Sequence, residues 1–381
     1  MARLLLLVSL LLSSGCSETP VDPDTGVVPD AGMIVDAGPE PPGPACHAGP
    51  RAVRSVAEPE AFAPADEWLF ATIPGADIHL DAFLEGTMPR PTPGTDATGV
   101  LWEAYPLLEP NLIGSVSRGA LYAVGSVDVA EGQHLFARAA RMFAVGTEHA
   151  ISPGDVYGAA WSRVPIVVNA GEANDIFVRV TPSRSPAELE LFATPDEVYF
   201  NFADRTHPEL RVGDGEEQWL GVMILNLTDH PLANVSARVA ASAYFEATEL
   251  VHRSLPAGAV TQVAFHLSPT GTLATPGEMI PVTLQLESEC LDAIYEATTE
   301  LPVVAADSVF RHTFRSGIDE SVQFYGVNPP SSFDPGRDYA LVLSLHGAGV
   351  DARGQAESYA PKDWAYIVAA TNRRPFGFDW E

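Results

Sequence analysis

Tyr339-Ala-Leu-Val-Leu-Ser-Leu345 runs directly into His346-Gly-Ala-Gly349. The apolar run at residues 341–345 predicts a strand buried on both faces, as in a parallel sheet. The small residues after it predict a turn whose backbone can be approached closely. Ala352, Ala356 and Tyr359 then fall at helical spacing, which predicts one short amphipathic helix. Ala365-Tyr-Ile-Val-Ala-Ala-Thr371 supplies the next strand. Upstream, Val309-Phe-Arg-His-Thr-Phe-Arg315, the turn Ser316-Gly-Ile-Asp319 and Ser321-Val-Gln-Phe-Tyr-Gly-Val327 predict a hairpin, followed by a proline-rich loop at 329–335. The expected order is therefore hairpin, strand, helix, strand, with a right-handed crossover joining the two parallel strands.

Before this segment the pattern is of short strands broken by turn residues. Between residues 65 and 184 these are Ala120-Leu-Tyr-Ala-Val124, Leu135-Phe-Ala-Arg-Ala139, Val164-Pro-Ile-Val-Val168 and Asp175-Ile-Phe-Val-Arg-Val180, separated by Ser152-Pro-Gly-Asp155 and Asn169-Ala-Gly171. Such punctuation predicts a β-sandwich. The passage from Met142 through Gly154-Asp-Val-Tyr157 to Val168, then Gly171 and Asn174, resembles the late strands of galactose-binding-like jelly rolls. A second β-rich unit, residues 185–306, contains Trp219-Leu-Gly-Val-Met-Ile-Leu-Asn226, Val235-Ser-Ala-Arg-Val239, Val260-Thr-Gln-Val-Ala-Phe265 and Val282-Thr-Leu-Gln-Leu286. Strict alternation puts Val282, Leu284 and Leu286 on one face, and the turn-separated strands predict an immunoglobulin-like sandwich. Trp102, Trp161 and Trp219 would form a sugar platform if they faced solvent, although cores are the commoner place for tryptophan.

At the N-terminus, Arg3, the apolar run of residues 4–12 and Ser13-Ser-Gly15 before Cys16 have the charge and length of an export signal, too short to span a bilayer. The segment resembles a bacterial lipoprotein signal, residues 1–16, which implies lipidation of Cys16; Ser13 stands where that family usually has leucine. The implied location is outside the cytoplasm, held on a bacterial membrane and facing the periplasm or the cell surface. Residues 17–64 are rich in Pro, Asp, Gly and Ala, with Asp24-Thr-Gly26, Asp30-Ala-Gly32 and Asp36-Ala-Gly38 recurring. They read as an extended, disordered tether. Cys46 and Cys290 are enough for one disulfide in an oxidising compartment, and the sequence leaves their pairing open. The spacing of Cys and His suggests no zinc site, and no metal or cofactor is expected. Fifty acidic against 21 basic residues give a net charge of −29, which argues against nucleic-acid binding and for a solvated exterior.

The strand, the His-Gly turn and the order of elements around them resemble the opening of an α/β-hydrolase of the prolyl oligopeptidase-like serine peptidase and esterase type. In that family the turn contributes an N–H to the oxyanion hole, which places His346, Gly347, Ala348 and Gly349 there, with His346 holding the loop. The run Thr371-Asn-Arg-Arg-Pro-Phe-Gly-Phe-Asp-Trp-Glu381 resembles the loop that lines the family's cleft, which assigns Arg373, Arg374, Asp379 and Trp380 to substrate binding. No serine is flanked by glycines two positions away on both sides, so the G-x-S-x-G nucleophile and its triad are expected beyond this sequence. The expected fold is thus mainly β: a jelly-roll-like sandwich, an immunoglobulin-like sandwich, and the N-terminal part of an α/β-hydrolase domain at 307–381. The resemblance implies an exported serine hydrolase acting on a peptide or ester, with this chain alone inactive. The alternative is a surface lipoprotein that binds glycan or protein through its sandwiches.

Overall fold

The structure is a computed structural model describing Cys46 and residues 49–371, except 64–66, 74–89, 97–98, 108, 110, 117, 148–149, 152–161, 170, 181, 183, 214, 272–274, 346 and 348–349. It is mainly β, with five sheets among the described residues. The first unit faces a seven-stranded antiparallel sheet against a five-stranded one. The larger sheet runs in the order Ala150–Ile151, Met142–Gly146, Ala173–Val180, Ala120–Asp128, Glu67–Ile73, Leu101–Pro106 and Gly94–Thr95. The smaller places His134–Ala140 between Arg163–Ile166 and Ala187–Thr194, with Glu60–Phe62 and Leu112–Gly114 also paired to the last.

Alternation explains how this unit packs. Ala123 and Val127 face Leu135, Ala137, Leu189 and Leu191 across the sandwich, while Tyr122 and Val124 from the same strand join Leu69, Ala71, Trp102 and Phe177 on the far side of the larger sheet. That sheet is therefore buried on both faces. Its central strand accordingly reads as a nearly continuous apolar run, Ala120-Leu-Tyr-Ala-Val-Gly-Ser-Val127. Trp68 fills the inter-sheet core and lies so close to Gly125 that a Cβ there would stand 2.4 Å from its ring.

The second unit packs the sheet Val198–Thr206, Gln218–Asn226, Val260–Leu267 against a larger one built on Ile294–Val304, Met279–Glu287, Leu232–Val239 and Thr248–Leu255. Val282, Leu284 and Leu286 share its buried face. Two boundaries differ from those expected. Ala187–Thr194 belongs to the first sandwich, because it exchanges its ladder with His134–Ala140, so the units meet at residues 195–197. Within the expected tether, Val53–Ser55 pairs in parallel with Ile294–Val304, Glu60–Phe62 pairs with Ala187–Thr194, and Cys46 is disulfide-bonded to Cys290.

The C-terminal sheet runs Phe310–Arg315, Val322–Asn328, Ala365–Ala370, Ala340–Ser344, and its last two strands are parallel. The helix Ala352–Glu357 begins where the Asp351 carboxylate accepts the Gly354 N–H at 2.6 Å. It lays Ala352 and Ala356 on Phe324 and Ala369. Hairpin, strand, helix and strand thus occur in the expected order, but what is seen is a small mixed sheet and not an α/β-hydrolase core. The expectation that residues 341–345 are buried on both faces is corrected: Leu341, Leu343 and Leu345 are 44%, 64% and 56% exposed. Among the described residues Ala340–Ser344 pairs with one strand, and the helix packs on the face that holds Ser344. The helix approaches Val322–Asn328 so closely that a Cβ at Gly326 would lie 2.3 Å from the Ala352 carbonyl oxygen.

Gly125→Ala and Gly326→Ala should each destabilise the protein by about 1 to 3 kcal/mol through overpacking. Gly215→Ala, where a Cβ meets open space, should stay within about 0.5 kcal/mol. Denaturant melts of the three variants check this; equal midpoints for all three would refute the close-approach argument.

Candidate functional site

The larger sheet of the first sandwich carries one stretch of inter-sheet face that the opposing sheet leaves open. Leu101–Pro106 alternates, so Trp102 and Ala104 join the far-side cluster with Leu69 and Ala71 while Leu101, Glu103 and Tyr105 point the other way. Register places Tyr105 beside Trp68 and Glu103 beside Phe70. Trp68 is wholly buried, but Leu101 is 54% and Tyr105 49% exposed. The Phe70 and Tyr105 rings lie 6.4 Å apart at 45°. Interaction with the neighbouring Glu103 carboxylate, hydrogen bonding first and then its charge, raises the Tyr105 pKa above the usual phenol value. Asp96 fixes the strand from its start, accepting the Val100 N–H and the Trp102 indole N–H, each at 3.0 Å. The result is a firmly held aromatic surface with a carboxylate at its side. It suits the C–H face of a ring that also offers hydroxyl donors.

Cys16, His346, Ala348, Gly349, Arg373, Arg374, Asp379, Trp380 and Trp161 lie outside the described residues. Of the expected oxyanion turn, Gly347 is described, and its carbonyl accepts the Val350 N–H at 3.3 Å. Trp102 is a core residue, 1% exposed. Trp219 is half-buried, stacked on His266 at 4.7 Å with the Arg315 guanidinium 5.7 Å from its ring. Its backbone N–H donates to Thr313, so it helps seat the C-terminal hairpin and offers no platform. Tyr105 was missed because attention goes to the tryptophan three residues earlier. The alternation of Leu101-Trp-Glu-Ala-Tyr105 already puts the two aromatics on opposite faces.

No protein-family model and no curated protein matches the chain. Among solved structures it is similar to a β-glucuronidase from Bacteroides uniformis, at 13% identity over 79% of this chain and 37% of that one, TM-score 0.33. It is similar also to a putative β-galactosidase from Bacteroides fragilis, 13% identical over 80% and 46%, TM-score 0.33. A third is a GH2 β-galacturonidase from Eisenbergiella tayi bound to galacturonate, 13% identical over 80% and 51%, TM-score 0.35. The chain spans about half or less of the length of each, and at these TM-scores the likeness assigns it no activity. These neighbours are named as glycosidases, not as prolyl oligopeptidases or other α/β-hydrolases. The recognition drawn from the C-terminal motif, and with it the serine peptidase or carboxylesterase activity, is corrected on that finding. The six described histidines are also engaged by other partners: His134, His207 and His252 by carbonyls of Leu227, Pro208 and Ala264, His230 by Asp229 and the Cys290 carbonyl, His266 by Glu217, and His312 by Gln218.

A second cluster of charged groups holds the C-terminal sheet to the second sandwich. The Glu209 carboxylate accepts both the Arg353 Nε–H and the Arg311 backbone N–H at 2.8 Å, and Arg311 reaches Asp351 at 3.5 Å. Arg311 Nη1 stands 3.2 Å from His207 Nε2, whose Nδ1 faces the Pro208 carbonyl. A neutral ring that donates from Nδ1 and accepts at Nε2 fits both contacts. Burial first, and then the Arg311 charge, pushes His207 from 6.5 down to about 4. Because the unfolded chain takes up this proton near pH 6.5 and the folded chain only near 4, its contribution to stability is complete above pH 6.5 and is lost as pH falls through that window. Across the window the wild type should lose up to about 3 kcal/mol more than His207→Gln. Thermal melts of both proteins at pH 7.5 and pH 4.5 measure the difference; parallel losses would show that His207 is not the group titrating.

Proposed function

We propose that the chain is an exported, membrane-tethered protein that binds carbohydrate on the open face of its first sandwich. The observation that carries the reading is the exposed Tyr105 ring packed near Phe70, with the Glu103 carboxylate on the same face of a strand locked by Asp96. An aromatic face buries the apolar side of a sugar ring, and a carboxylate accepts from its hydroxyls. Glu103 and the net charge of −29 disfavour acidic sugars, which makes a neutral polysaccharide the ligand class. Export and lipid attachment at Cys16 are part of the proposal, supported by the N-terminal signal.

The finer architecture is proposed with it. The opposed seven- and five-stranded sheets support a jelly-roll-like first unit, and the three-stranded sheet packed on a larger one supports an immunoglobulin-like second unit.

The full chain without its signal should be retained on neutral polysaccharides in affinity electrophoresis. Tyr105→Ala should weaken that retention at least about tenfold, the effect of losing one stacked ring worth about 1.4 kcal/mol. Unchanged circular dichroism would show the fold intact. Absence of retention on any glycan, or equal retention by Tyr105→Ala, overturns the reading and leaves a protein ligand for the sandwiches.

A further inference from the structure

Cys46 and residues 49–62 connect the two sandwiches a second time, independently of the direct turn at 195–197. Cys46 is bonded to Cys290 across a sequence separation of 244. Val53–Ser55 then adds three residues in parallel to the edge of Ile294–Val304 in the second sandwich, and Glu60–Phe62 adds three to Ala187–Thr194 in the first. Between them the Arg54 guanidinium reaches Asp292 at 3.0 Å and Asp196 at 3.3 Å and lies 4.7 Å above the Tyr295 ring, and the Ala57 N–H donates to Asp196 at 2.6 Å. Each ladder is short, and Val53, Ser55, Glu60 and Ala61 are exposed. A segment held by two such ladders stays docked because a crosslink keeps it close.

We propose that residues 46–62 form a redox-gated strap: thiol–disulfide exchange at Cys46–Cys290 releases a clamp that fixes one sandwich to the other. The inference does not depend on the carbohydrate reading. Cys46 is half-buried and Cys290 buried, so an incoming thiolate reaches the Cys46 sulfur first. The reductant is a dithiol. One of its thiolates bonds to Cys46 Sγ as the S–S bond breaks and Cys290 leaves as a thiolate, which takes up a proton. The second thiol of the dithiol then displaces Cys46 from the mixed disulfide. Two electrons pass to the protein, two protein thiols form, and the dithiol becomes a cyclic disulfide. Release exposes the edge of residues 294–296 and removes both strap partners of Asp196, so the sandwiches keep their direct turn and the apolar contact in which Phe136 stacks on Tyr199 beside Leu225 and Leu227. The strap thereby makes the joint stiff in an oxidising compartment and loose in a reducing one.

Arg51 and Arg54 lie within the strap and precede Ala52 and Ser55, which makes trypsin a direct probe. The folded full chain is digested before and after treatment with excess dithiothreitol, with alkylation and mass measurement confirming that both cysteines have opened. New termini at Ala52 and Ser55 should appear at least about tenfold faster after reduction while the rest of the chain remains one fragment, since cleavage follows the population of the opened segment. The Cys46→Ser, Cys290→Ser double variant should cleave at the fast rate with or without dithiothreitol. Treating the folded wild type needs no variant to fold. Equal strap cleavage with both cysteines alkylated, a bond that excess dithiothreitol cannot open, or simultaneous digestion of both sandwiches would each overturn the proposal.

Discussion

Asp196 is a carboxylate only 2% exposed at the turn where one sandwich becomes the next, beside the apolar contact of Phe136 with Tyr199, Leu225 and Leu227, and burying it there requires that its charge be met. Arg54 supplies the opposite charge and the Ala57 N–H a bond at 2.6 Å, both from the strap, while the Thr194 hydroxyl accepts the Asp196 N–H at 3.3 Å. A buried carboxylate stripped of its partner costs about 3 to 5 kcal/mol, whereas the intact pair adds little net stability over an apolar substitute. Its role is therefore to specify one arrangement. The disulfide adds a different kind of constraint: closing 244 residues reduces the entropy of the unfolded chain by about 5 kcal/mol in the chain-entropy account.

The C-terminal sheet is joined on other terms. Its hairpin sits on the smaller sheet of the second sandwich through side-chain to backbone bonds: Gln218 accepts the Thr313 N–H, Thr313 accepts the Trp219 N–H, and Gln262 accepts the Val322 N–H at 2.6 Å. The Glu209, Arg311 and Arg353 cluster then ties the helix side of the sheet to the same unit. These polar contacts are confined to the helix side and the hairpin. Among the described residues, the opposite face, with Leu341, Leu343 and Leu345, contributes no such bond and carries a run of exposed aliphatic side chains. Sheet order alone therefore says little about how well a sheet is covered.

What could be read from the sequence follows from where the physics is local. Turn residues around an apolar run marked a strand at Ala120-Leu-Tyr-Ala-Val124, and alternation located Val282, Leu284 and Leu286 on a buried face, because side-chain period is a property of the strand itself. Ala352 and Ala356 marked the helix for the same reason. The partner of Ala187–Thr194 depended on a ladder with residues some fifty positions earlier, which no local pattern reports, so its unit was misassigned. The strap was hidden by composition: residues 46–62 look like linker, and their order comes from Cys290, Asp292 and Asp196, all distant in sequence. Trp102 drew attention by its chemistry, but exposure belongs to Tyr105, and telling them apart requires knowing which face of the sheet lacks a cover.

That uncovered face gains its value from the burial behind it. A binding surface loses affinity when side chains and backbone must be ordered on binding. Here the strand that carries Tyr105 is held by a ladder to Glu67–Ile73, by Trp102 packed into the far-side cluster, and by Asp96 bonded to both Val100 and the indole of Trp102. Two-faced burial of the sheet, which a simple sandwich does not need, fixes this strand from the side opposite Tyr105. Tyr105 has two side-chain torsions to restrict, and its ring already lies 6.4 Å from that of Phe70. Most of the ordering is therefore complete before a ligand arrives, so a small aromatic patch suffices where a mobile loop would need a larger one.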